Sequence, residues 1–177
     1  MNLPAGSLLR KRVVAEPATA LATALDRAVT GYLRLAPPDA LLFEAEGAGV
    51  VTLADGVPVV AYHTGTDRGG PVALGDMALP GPYGMALHEL DAAALASVNE
   101  TDAFRVPPGM PAERLAGDGA LAERTRAAAP ATRLEGEQAV GSRTSAVEAF
   151  LDDEEKIRSL KARARAEARE RAAEWDF

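Results

Sequence analysis

Residues 49–62 read GVVTLADGVPVVAY. Two runs rich in strand formers flank Asp55-Gly56, a dipeptide suited to the two left-handed positions of a type I′ turn, so the stretch predicts a β-hairpin. Pro58 has no amide hydrogen to give to a ladder, which predicts an edge position or the start of the strand. Upstream, residues 40–44 read as another short strand, and Tyr32, Leu33 and Leu35 as one stopped by Pro37-Pro38. Before these, Pro17 is followed by Leu21, Leu25 and Val29 at i, i+4 and i+8, predicting an amphipathic helix over 17–29 that Gly31 ends. Residues 8–14 form a short basic start.

Downstream, TGTDRGG at 64–70 is a loop, residues 71–77 fit a short helix, and 85–90 a last strand. Asp91 is placed to cap an alanine-rich turn over 92–98. Of the 46 apolar side chains larger than alanine, 32 lie in the first 100 residues, which puts the core at that end. The expected fold class is α+β: a small antiparallel sheet packed by helices, then an alanine-rich helical region and a long C-terminal helix. The expected domains are an α+β core over 1–100, a linker with an alanine-rich helix over 101–143, and a charged helix over 144–177. Val106-Pro107-Pro108-Gly109 opens that linker, and Gly117 and Gly119 interrupt the helical stretch 111–129.

The chain has 177 residues, 19 of them Lys or Arg and 26 Asp or Glu, for a net charge of −7. That balance argues against a general polyanion binder. There is no run of eighteen apolar residues and no secretory pattern, so the expectation is a cytoplasmic protein without a membrane partner. Zero cysteines remove disulfides, thiolate metal sites and thiol nucleophiles, and two histidines leave little for zinc or triad chemistry. No catalytic residue, metal or cofactor is therefore expected, and the protein is read as a non-enzyme.

The places where chemistry would sit are few. His63 ends a strand near Asp67 and Arg68, and His88 lies elsewhere, with no close histidine pair to build a metal site. The loop 65–70 places Gly65, Gly69 and Gly70 before a helix, superficially like a phosphate cradle, but it has neither the Walker spacing nor a lysine. Thr64 and Thr66 are its hydroxyls, with no base arranged to activate them. An alternative reading makes this loop, with His63, a small-molecule or enzymatic site. Asn99-Glu100-Thr101 matches a glycosylation sequon and is read as a loop.

A helix from about 145 to 175 is the most distinctive feature of the sequence. Ser145 and Glu148 have capping-box spacing, and Asp152 to Glu155 suit the positive end of a helix dipole. Val147, Phe150, Leu151, Ile157 and Leu160 supply an apolar face, with Phe150, Ile157 and Ala164 at coiled-coil spacing. Trp175 and Phe177 close the chain. Phe150, Leu151, Ile157, Leu160, Trp175 and Phe177 are therefore the candidate partner-binding residues, for a protein partner or a homo-oligomer. A nucleic-acid arm is the competing reading, since positions 161–171 hold one lysine and four arginines against two glutamates. That excess is modest, and nucleic acid is disfavoured.

Two resemblances add expectations. Sixteen arginines against three lysines, together with the acidity, resemble the profile of proteins from extreme halophilic archaea. Across residues 17–90, Gly31, Leu33 and Leu35, then Asp55-Gly56, then Val59 and Ala61, then Gly70, Ala73 and Leu74 resemble the PATAN family of signalling modules. That resemblance implies a non-enzymatic interaction domain, in keeping with a regulatory adaptor.

Overall fold

The computed structural model describes residues 3–36, 47–78 and 81–134. The described part is α+β, built on a six-stranded sheet whose paired neighbours all run antiparallel. In chain order its elements are β1 (Ser7–Val14), α1 (Pro17–Asp26), β2 (Gly31–Ala36), β3 (Gly49–Ala54), β4 (Val57–His63), β5 (Arg68–Gly69), α2 (Gly70–Met77), β6 (Tyr83–Glu89) and α3 (Ala92–Asn99). A 3₁₀ turn (Asp102–Phe104), α4 (Met110–Ala116) and α5 (Gly119–Ala128) follow. The strand order is β1-β6-β2-β3-β4-β5, so the last strand is inserted between the first two.

The hairpin forms as its sequence predicts, with Asp55 at φ 50° and Gly56 at φ 81°. Pro58 is the second residue of β4 and faces Leu53 across the hairpin. The other neighbour, β5, pairs with Tyr62 and His63 and does not reach Pro58, so the missing amide hydrogen falls where no ladder needs it. Helix α1 stops at Asp26, short of the expected Val29, because Ala28 turns to φ 46°. Gly31 accordingly opens β2 rather than ending the helix.

One sheet face carries the main core. Leu33 and Leu35 of β2, Val51 and Leu53 of β3, and Met85 and Leu87 of β6 pack there against Leu21 and Ala24 of α1 and Leu74 and Met77 of α2. Fully burying each leucine contributes about 1.5–3 kcal/mol. Residues 101–134, part of the stretch 101–143 expected as a linker with an alanine-rich helix, contribute to the same core: Val106, Ala112, Leu115, Leu121 and Ala122 are buried in it. Alanine-rich helices suit this position, because small side chains let helices approach closely while a few leucines fill the remaining space. The expected break is present, with Gly117 at φ 60° between α4 and α5. The opposite face is covered over β3 and β4 by α3, whose Val98 packs with Val59 and Val60. The expected strand at 40–44 and the C-terminal helix lie outside the described residues.

Candidate functional site

His63 and His88 sit on strands β4 and β6, separated in the sheet by β3 and β2. Three strand spacings separate them by roughly 14 Å across the sheet, and the register, which sets His63 in the row of Met85, adds three residues along β6. His63 is buried, with Nδ1 3.1 Å from the Thr66 hydroxyl and 3.3 Å from the Thr66 amide. Thr66 Oγ1 donates to Asp76 Oδ2 at 2.6 Å, and Asp76 also faces Arg68 at 3.6 Å. The hydroxyl proton is thus committed to a carboxylate, an arrangement that holds a loop in place. Tyr62 donates to Asp67; this bond, then burial, then the nearby carboxylate charge push its phenol above the ordinary tyrosine range.

Gly69 and Gly70 of the 65–70 loop have steric reasons to be there. A side chain at Gly69 would fall 1.9 Å from the Phe104 ring, and one at Gly70 would fall 2.8 Å from the Ala103 carbonyl at a φ of 69°. The loop is packed against the 3₁₀ turn, and close packing accounts for both glycines. Among the described residues no group of three or more His, Asp or Glu side chains could hold a metal ion.

The surface with the strongest claim to recognition is at the opposite edge of the sheet. Strand β1, SLLRKRVV, is eight residues long and pairs with β6 alone, so that among the described residues no strand occupies its outer edge. Seven of those eight residues are exposed, including Leu8 at 54% and Val13 at 66%. Register sets what lies on each face. Arg10 and Arg12 align with Leu87 and Met85, on the helix-covered side, while Lys11 aligns with Ala86 on the other side. Arg34 of β2 also aligns with Ala86, so Lys11 and Arg34 flank a small residue in one cross-strand row. The next row joins Leu8, His88 and Tyr32. There the Tyr32 and His88 rings stack with centroids 4.6 Å apart and planes 10° from parallel.

Among the described residues none of Arg10, Lys11, Arg12 and Arg34 forms an ion pair. Four unneutralised cations beside exposed leucine and valine, on a chain of net charge −7, make a local inversion of the overall charge. The sequence contained the signal, since residues 8–14 stood out as basic. The run lacks the period-2 alternation of a half-buried strand because both its faces are exposed, so no strand was expected there. The expected partner-binding residues Phe150, Leu151, Ile157, Leu160, Trp175 and Phe177 lie outside the described residues.

A family model described as Domain of unknown function (DUF8572) matches residues 2–177. No curated protein and no solved structure matches the chain.

Proposed function

The chain belongs to the DUF8572 family, and we propose that it is a non-enzymatic interaction module that captures an acidic, extended protein segment on the free edge of β1. The observation that carries this reading is that edge: among the described residues, the outward-facing backbone groups on alternate residues of Ser7–Val14 have no strand partner, and Arg10, Lys11 and Arg12 lie along it. An extended peptide added there would gain main-chain hydrogen bonds from the edge, and its side chains would alternate between the two faces. Acidic residues would meet Arg10 and Arg12 on one face and Lys11 and Arg34 on the other.

A second copy of the chain fits less well. Antiparallel pairing of β1 with itself about Lys11 would set Lys11 against Lys11 and Arg10 against Arg12, and like charges directly opposite one another are destabilising. The resemblance of residues 17–90 to PATAN modules supports an adaptor or regulatory role. The proposal sets the encounter in the cytoplasm and keeps the C-terminal helix expected from the sequence, with Phe150 and Ile157 at heptad spacing, as a second docking element.

The test uses the full chain and two acetylated peptides, one with four consecutive glutamates flanked by valines and its glutamine counterpart. Calorimetry is expected to show saturable binding of the glutamate peptide, at least tenfold weaker for the glutamine peptide and for the triple variant R10E/K11E/R12E. Exposed positions make that variant fold normally, which circular dichroism checks. Equal binding of both peptides, undiminished binding to the variant, or no binding at all would overturn the proposal.

A further inference from the structure

The register of the sheet fixes which cations one residue of a captured segment can meet, and the number differs from row to row. Lys11 of β1 and Arg34 of β2 both lie opposite Ala86 of β6, on the sheet face turned away from α1 and α2. Two strand spacings, about 10 Å, separate their backbones. Ala86 carries only a methyl group, so the two exposed cationic side chains stand on either side of a low floor. Arg10 and Arg12, on the other face, are placed differently. Their rows continue into Leu87 and Leu33, and into Met85 and Leu35, all buried and apolar. Each offers one cation at the edge with no second behind it.

The rows that flank Lys11 on its own face hold no lysine or arginine. On one side the exposed Val13 lies opposite Gly84, and Gly84 opposite Ala36. A Cβ at Gly84 would come no closer to a neighbour than 3.6 Å, at the Ala36 carbonyl oxygen, so packing among the described residues does not call for glycine there. A strand glycine with no internal steric cause suits a place that another chain approaches closely. On the other side Leu8 lies opposite His88, and a bulge inserts Leu9 before Arg10. Leu8 and Leu9 are both apolar, so a strand added across the bulge ends on an apolar contact in either pairing.

We infer that the captured segment reads apolar, acid, acid, acid, apolar, and that its middle acid is the anchor, shared by Lys11 and Arg34. This rests on capture at the β1 edge and makes Arg34, two strands in from that edge, a determinant of specificity. The middle acid lies across from Lys11, and the outer two meet Arg12 and Arg10 on the opposite face. The pattern is the same in both directions, so it holds for either polarity of the added strand. Arg34 is three strand spacings, roughly 14 Å, from the added backbone. The anchor is therefore glutamate rather than aspartate, since the extra methylene carries the carboxylate toward Ala86 and the long arginine stem covers the rest. A carboxylate held between two cations accepts charge-assisted hydrogen bonds from both, whereas the outer acids have one cation each.

The experiment titrates the full chain, by calorimetry, with capped peptides that set the pattern Val-Glu-Glu-Glu-Val between serines. Glutamine in place of the middle glutamate is expected to weaken binding about tenfold, and in place of either outer glutamate about threefold. Aspartate in the middle should weaken it by about the outer amount. In the Arg34→Gln protein, whose fold circular dichroism checks, the middle replacement should cost no more than an outer one, while the outer losses stay as they were. Equal losses at all three positions, or a middle loss that Arg34→Gln leaves unchanged, would overturn the anchor while leaving capture at the edge standing. No binding by any of the peptides would overturn both. So would a dimer in sedimentation that the peptide does not dissociate, since a second copy would then hold the edge.

Discussion

The amide of Gly56 donates to the carbonyl of Val29 across 2.9 Å. The hairpin tip is thereby docked on the segment leaving α1, and the turn is part of the packing as well as a connection. A Cβ at Gly56 would lie 2.6 Å from both the Ala24 carbonyl oxygen and the Leu25 Cα. Gly56→Val combines that collision with a strained left-handed backbone, and we expect it to destabilise the protein by about 2–4 kcal/mol. The midpoint of urea denaturation is the measurement, and an unchanged midpoint would contradict the docking.

Tyr62 makes stability depend on alkaline pH. Its folded-state pKa lies above the ordinary value of 10.0, so the folded protein holds the phenolic proton more tightly than the unfolded chain. The resulting stabilisation is fully present below pH 10 and is lost as pH rises through the folded value. Tyr62→Phe should therefore flatten the fall in stability above pH 10, leaving the part due to Tyr83, which burial also raises. Denaturation midpoints measured at pH 8 to 11 decide this.

Leu121 tests where the domain ends. It is 3% exposed and packs in the main core, so Leu121→Ala should cost about 2–5 kcal/mol. A fragment of residues 1–134 should unfold in one cooperative transition, whereas a fragment of residues 1–100, lacking Val106, Leu115 and Leu121, should not. Calorimetry on the two fragments is the check. Cooperative folding of the shorter one would return α4 and α5 to the status of appendages.

Thr66 holds the loop after β4 through its 2.6 Å bond to Asp76. Thr66→Val should lower stability by about 1 kcal/mol, the usual worth of such a bond, and should speed amide exchange in residues 64–69. Exchange rates unchanged from the parent protein would show that the Arg68–Asp76 pair holds the loop without it.

The sequence by itself determined the elements whose cause is local. Asp55-Gly56 specified the hairpin because two adjacent residues had to accept positive φ, and both do. Pro17 and the spacing of Leu21 and Leu25 specified α1, although its end escaped the pattern because Ala28 takes a left-handed conformation that its sequence does not announce. The alanine-rich stretch and its break at Gly117 were equally legible.

Tertiary structure decided what depends on distant partners. Strand β1 exists because β6 supplies a ladder 69 to 82 positions away in the chain, and a strand exposed on both faces leaves no alternation of polar and apolar residues to read. Composition assigned residues 101–134 to a linker, since alanine counts for little as a core residue. Their burial came from α1 and α2 offering a surface that small side chains can approach. The Asn99 side chain is held by the Thr52 hydroxyl, 47 positions earlier. A hydrogen bond between groups so far apart is set by how the sheet and α3 come together, and no local pattern in the chain encodes it.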